Sequence, residues 1–229
     1  IYGLGSGDAG ETVRVRIGPL GPYAHGFAGS WHVFAFSPIV VIMFGVLLAG
    51  RRKAVRRAAS LLDGPASHGD LLIVTGTGAR TPDKQHYASV VSVPRPPVPL
   101  PAGMKASHWE VRGHTGQPMF RVEKRGGKKV VPEFALLDPS GAPRVIVRNA
   151  GTSPASYAIL YPDGTPAGRI DPPKHTGSGA YEFTDTQGRV WARTAPRIPE
   201  WVLRMEPGAP PPFPYLAMAF TIGQRRPVR

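Results

Sequence analysis

The side chains able to do chemistry are present in this sequence, but their spacing does not group them. Seven histidines stand at 25, 32, 68, 86, 108, 114 and 175. None of them falls in the HxH, HExxH or HxxxH spacing that aims two imidazoles at one metal. Cysteine is absent, which excludes thiolate nucleophiles, disulfides and Cys-based zinc or iron–sulfur sites. Asp138, Asp163 and Asp185 lie in the turns DPSG, PDG and DTQG. There a short carboxylate caps backbone amides, so their spacing is that of turns and not of a paired acid and base. Neither GxSxG nor a P-loop occurs, and the turns hold too few oxygens for a calcium loop. LLIVTGTGAR at 71–80 leads a hydrophobic run into Gly76 and Gly78, but Thr81 stands where a dinucleotide loop needs a third small residue. No catalytic residue, metal ligand or cofactor site is assigned, and the chain is not expected to be an enzyme.

Charge carries more information. The formal net charge is +13, from 28 Lys plus Arg against 15 Asp plus Glu, and two clusters concentrate it. One is Arg51, Arg52, Lys53, Arg56 and Arg57. The other is the segment RVEKRGGKKV, where Arg121, Lys124, Arg125, Lys128 and Lys129 crowd around Gly126-Gly127. A turn carrying several cations suits phosphate head groups, which accept both point charges and guanidinium forks. An anionic membrane lipid is the expected ligand of these ten residues. The plainer alternatives are a solvated hairpin for the second cluster and a topology signal for the first. Nucleic acid is not expected, because a basic total dominated by Arg can arise without a polyanionic partner.

Between Trp31 and Gly50 the chain reads WHVFAFSPIVVIMFGVLLAG, without Asp, Glu, Lys or Arg. At about 1.5 Å per residue such a helix reaches roughly 30 Å, the thickness of a hydrocarbon core. A transmembrane helix is therefore expected at 31–50, with Trp31 as interfacial anchor. The first cationic cluster follows it directly, and residues 1–30 sum to zero. By the positive-inside rule the protein would sit in the cell membrane, with residues 51–229 in the cytoplasm and 1–30 outside. An export signal or upstream membrane segment is expected before Ile1. Residues 51–63 continue at helical spacing, with Val55, Ala58, Leu61 and Leu62 on one side and arginines on the other, and Gly64-Pro65 ends the helix. Residues 64–105 read as a Pro/Gly-rich linker that carries two strand-like runs, Leu71–Val74 and Tyr87–Val93. Its PRPPVPLPAG tract is a polyproline II spacer or a ligand for an SH3-type partner.

The rest of the chain repeats. Gly116, Gly141, Gly164 and Gly188 are spaced by 25, 23 and 24 residues, and seven residues before each stands an aromatic: Trp109, Phe134, Tyr157 and Tyr181. Each unit reads strand, turn, strand, with a glycine where a tight turn needs positive φ. Four units give eight antiparallel strands, too short for propeller blades, and closing them into a barrel removes their exposed edges. A further strand covers Trp201–Met205. The segment PFPYLAMAFTIGQ then lacks a polar face and must be buried.

These hairpin units with their DxxG-like turns, WVLRME and PYLAMAF, across residues 107–223, resemble the tubby-like superfamily, in particular its LURP-one-related and phospholipid-scramblase-like group. The resemblance implies a twelve-stranded barrel around a hydrophobic C-terminal helix, and a non-enzymatic role in phospholipid binding and membrane tethering. About nine strands are visible in that region, so the two runs in the linker are candidates for the remainder. The expected fold is mainly β: one N-terminal transmembrane helix, then a cytoplasmic antiparallel β-barrel at 106–229. The expected function is a membrane-anchored domain that binds anionic phospholipid. The alternatives are a protein-interaction or scaffold module, or a subunit of a larger assembly with a membrane-protein partner.

Overall fold

The computed structural model describes residues 15–18, 21–24, 30–63, 70–94, 103–127, 130–151, 156–173 and 180–225. The chain divides into two compact units, Ile1–Ala49 and Gly50–Arg229. In the first, β1 (Val15–Gly18) and β2 (Gly21–Ala24) form an antiparallel hairpin. Val15 and Ile17 stand at alternate positions of β1. Helix α1 runs from Ser30 to Leu62 without a break at the start of the basic cluster.

Twelve strands build the second unit: β3 (Leu71–Val74), β4 (Gly78–Arg80), β5 (His86–Ser92), β6 (Lys105–Gly113), β7 (Pro118–Gly127), β8 (Val130–Leu137), β9 (Pro143–Asn149), β10 (Tyr157–Leu160), β11 (Pro166–Asp171), β12 (Tyr181–Asp185), β13 (Val190–Arg197) and β14 (Glu200–Met205). Every neighbour in the barrel is also a neighbour in sequence, save one. β14 pairs with β3, Trp201 opposite Val74 and Arg204 opposite Leu71, and this pair closes the barrel. Part of the segment 64–105 therefore belongs to the barrel. Its two expected strands are β3 and β5, and β4, only three residues long, lies between them.

Period-two alternation selects the inner face. Phe120 and Val122 point inward on β7, Phe134 and Leu136 on β8, and Val145 and Val147 on β9; all six are buried. The interior is filled by α2 (Phe213–Arg225), in which Leu216 to Ile222 are all buried, Thr221 included. The Thr221 hydroxyl donates to the Ala217 carbonyl one turn back at 2.6 Å, which satisfies it inside the apolar core. The repeated aromatics converge on this helix: the rings of Phe134, Tyr157 and Tyr181 lie 5.3, 5.1 and 5.1 Å from that of Phe220, and Phe183 adds a fourth at 5.6 Å. Trp109, from the first of the repeated hairpins, is fully buried in the same core.

The turns share one hydrogen-bond pattern. In each of the four repeat hairpins the first residue's N–H donates to the fifth residue's carbonyl, and the fourth residue's N–H donates back to the first, as in Asp138/Ala142 and Gly141/Asp138. The fourth residue has positive φ and is glycine every time. The turn between β4 and β5 has the same pattern, Thr81 with Gln85 and Lys84 with Thr81. Its fourth residue, however, is Lys84 at φ 67°. A side chain in that region costs about 1–2 kcal/mol relative to glycine.

Candidate functional site

The C-terminal part of α1 belongs to the second unit. Ala54 and Ala58 are buried there, and Ala58 packs with Leu71, Ile73, Ala180, Ala195 and Val202 on the outside of the barrel, flanked by Leu61 and Leu62. Arg204 donates to the carbonyls of Leu61 and Asp63, at 3.1 and 2.7 Å, and so fixes the end of the helix. The apolar side expected from spacing is thus real but rotated: Val55 is exposed and Ala54 takes its place. Arg52, Lys53 and Arg56 face solvent, and Arg57 is half-buried. Arg51 lies on the helix, with its side chain outside the described residues.

In the first unit α1 presents a different surface. Ile39, Val40, Val41, Ile42, Met43 and Phe44 are consecutive and between 52% and 69% exposed, and Val46 and Leu48 follow. Six successive residues sample every side of a helix, so these exposed apolar side chains are not confined to one face. The transmembrane helix expected at 31–50 is nevertheless not supported: among the described residues no helix is long and apolar enough to cross a membrane.

The second cationic cluster is broken up by the fold. Lys124 follows Phe120 and Val122 in the alternation and points inward. It is buried, its Nζ donates to the Gly223 carbonyl near the end of α2 at 2.7 Å, and it stands 5.4 Å from the centre of the Phe134 ring. Desolvation holds its pKa below the ordinary lysine value. It acts as a cation on a helix C-terminus, and its expected contact with a head group is withdrawn. Arg121 and Arg125 point outward but each meets a carboxylate: Arg121 Nε lies 2.9 Å from Glu110 and Arg125 Nε 2.5 Å from Glu123. Lys128 and Lys129 lie outside the described residues. The hairpin thus brings together none of the five as an open cationic patch among the described residues.

Glu110 is itself a buried charge, held by Arg112 at 2.8 Å as well as by Arg121. The Arg112 hydrogen bond first, and then that of Arg121, keep its carboxyl below the usual range. Around Asp138, the Ser140 hydroxyl, the Ala142 amide and Arg144 lower the carboxyl to about 2, the signature of a turn cap. No cluster of three His, Cys, Asp or Glu suited to a metal occurs among the described residues.

Two surface features were not read from sequence. An apolar groove of about 500 Å³ lies beside the start of α2, where Tyr161, Pro162, Pro211, Pro212 and Tyr215 meet the β8–β9 turn. A second cavity, of about 350 Å³, lies where Leu62 and Ile73 meet Arg80, Lys84 and Arg197. Its residues come from α1, β3, β4, a turn, β13 and β14, so no sequence window holds them. The one local signal is the TPDKQ turn, which has Lys where the sister turns have Gly. Compared with family models, with curated proteins and with solved structures, the chain matches none.

Proposed function

We propose that this chain is a non-enzymatic, membrane-associated protein of the tubby-like superfamily. In this reading the apolar run of α1 enters a lipid bilayer, and the cations that follow it in sequence meet the anionic cytoplasmic leaflet. The superfamily assignment is supported by a closed barrel of twelve antiparallel strands around an apolar C-terminal helix, the arrangement that the resemblance implies.

The observation that carries the membrane reading is the run of large apolar side chains exposed on all sides of α1. Burying one such side chain is worth about 1.5–3 kcal/mol, and a helix apolar on every side belongs in a core or a bilayer. Arg52, Lys53 and Arg56 are exposed, and each basic residue at an anionic surface adds about 1 kcal/mol.

Flotation of the full chain with neutral and anionic vesicles tests this. Binding is expected to fall away in Val41→Asp/Phe44→Asp. In Arg52→Gln/Lys53→Gln/Arg56→Gln it should weaken by about 3 kcal/mol and lose its salt dependence. Vesicle binding that survives both sets of changes would sink the reading. The orientation, with residues 51–229 cytoplasmic, is tested by protease added to intact cells: the barrel should survive.

A second reading, a protein-interaction or scaffold module within a membrane assembly, is favoured by the groove lined by Tyr161, Tyr215 and prolines, since aromatic-lined apolar grooves hold peptides. Salt separates the two: a partner held in that groove stays bound as ionic strength rises, whereas cations on a lipid surface are screened.

A further inference from the structure

We propose that the cavity formed by Arg80, Lys84 and Arg197 binds a phosphomonoester, with the phosphate among the three cations and the carbon stem against Leu62, Ile73 and Pro82.

The turn between β4 and β5 supplies the first argument. Five turns of this barrel share one hydrogen-bond pattern, and four place glycine at the residue of positive φ. The fifth accepts a strained conformation at Lys84, φ 67°, and that residue lines the cavity. Strain held at one member of an otherwise uniform set marks a side chain that is wanted at that place.

Charge supplies the second. Glu200 also lines the cavity and pairs with Arg80. Lys84 and Arg197 have no carboxylate within ion-pair distance among the described residues, although exposed Asp83 is Lys84's neighbour in sequence. Three cations against one carboxylate leave two positive charges in excess. A phosphomonoester carries about −1.5 to −2 near neutral pH, which matches them, and its oxygens accept both a guanidinium fork and an ammonium.

The third is shape. The cavity holds about 350 Å³, within the ordinary range for small ligands. Its apolar members, Leu62 at the end of α1 and Ile73 on the outer face of β3, give a carbon stem something to pack against. As the head-group site of a lipid this rests on the membrane reading; as a site for a soluble phosphate ester it stands on the barrel alone.

The probe is glycerol 3-phosphate, titrated calorimetrically into the full chain in non-ionic detergent. Saturable binding is expected in the parent, weakened at least tenfold in Lys84→Gly and in Arg197→Gln. Lys84→Gly gives this turn the residue of its four sisters, so its melting temperature should equal or exceed the parent's, which separates lost binding from lost fold. Vesicles containing phosphatidic acid then identify the source. If Lys84→Gly weakens both, the phosphate belongs to a lipid; if only glycerol 3-phosphate is affected, it belongs to a soluble ester. No binding of glycerol 3-phosphate to the parent, or equal binding to parent and Lys84→Gly, overturns the site. Val41→Asp/Phe44→Asp separates the two proposals, because it should abolish vesicle binding and leave glycerol 3-phosphate binding intact.

Discussion

Lys124 illustrates how a strand's alternation can override a residue's chemistry. In the sequence it belongs to a run of cations around Gly126-Gly127; in the barrel it follows Phe120 and Val122 to the inner face and donates to Gly223 of α2. The signal was present, since a residue two and four places after inward apolar side chains shares their face, but charge obscured it. Lys124→Met removes the donor and strands a buried carbonyl, a loss of about 1–3 kcal/mol in urea unfolding. Vesicle binding by that variant should not change, which a head-group role for Lys124 would contradict. Glu110 sets a pH dependence. Its folded carboxyl titrates below the ordinary value of 4.5, so below that pH the unfolded chain binds the proton more readily. The stability it contributes is present above about pH 4.5 and is lost as pH falls through the lower folded value. Glu110→Gln should flatten the acid limb of a stability profile, and an unchanged limb would show that the Arg112 and Arg121 contacts carry no such coupling.

At the scale of elements, the hairpins were the most legible part. An aromatic seven residues before a turn glycine is a local pattern with a local cause: the glycine takes positive φ, and the aromatic, on the strand leading into the turn, packs into the core around Phe220. β4 was illegible because GAR has no alternation to detect, and the turn after it lacks the glycine that marks the others. The docking of α1 on β3, β13 and β14 was half legible. Spacing gave an apolar side, but which alanines would be covered depended on an outer sheet surface of Leu71, Ile73, Ala195 and Val202 that only the closed barrel creates. Close approach between strands makes one element-level prediction. A Cβ on Gly168 of β11 would sit 2.0 Å from the Thr184 carbonyl and 3.1 Å from Asp185 Cα of β12, contacts with backbone that cannot rotate away. Gly168→Ala should therefore cost about 1–3 kcal/mol by thermal or urea unfolding. A neutral result would mean that β11 and β12 are farther apart than this.

For the molecule as a whole, the boundary matters more than any single contact. Reading the domain as 106–229 omits β3, β4 and β5, and with β3 goes the strand that β14 pairs with across the closure. The remaining strands would present two open edges, and the outer surface that receives α1 would be incomplete. Residues 105–229 alone should bind a hydrophobic dye and melt without a cooperative transition, whereas residues 50–229 should melt cooperatively. Cooperative unfolding of the shorter piece would show that the closing pair is dispensable. This boundary could not be read locally, because glycine and proline in 64–105 have the composition of a linker. What makes the segment structural is its pairing with residues near the other end of the chain.

That closure also sets an order of events on the ribosome. Strands emerge in the sequence in which they neighbour one another, so a sheet can grow hairpin by hairpin as the chain is made. Its first strand nevertheless waits for its second neighbour until Trp201–Met205 has left the exit tunnel, and the helix that fills the interior follows that strand. Until then the nascent chain is an open apolar trough with a free edge, the kind of surface that chaperones hold and that neighbouring chains invade. The barrel therefore cannot close until Trp201–Met205 has been made, and a chain stopped before that strand would release an open trough with no helix to fill it.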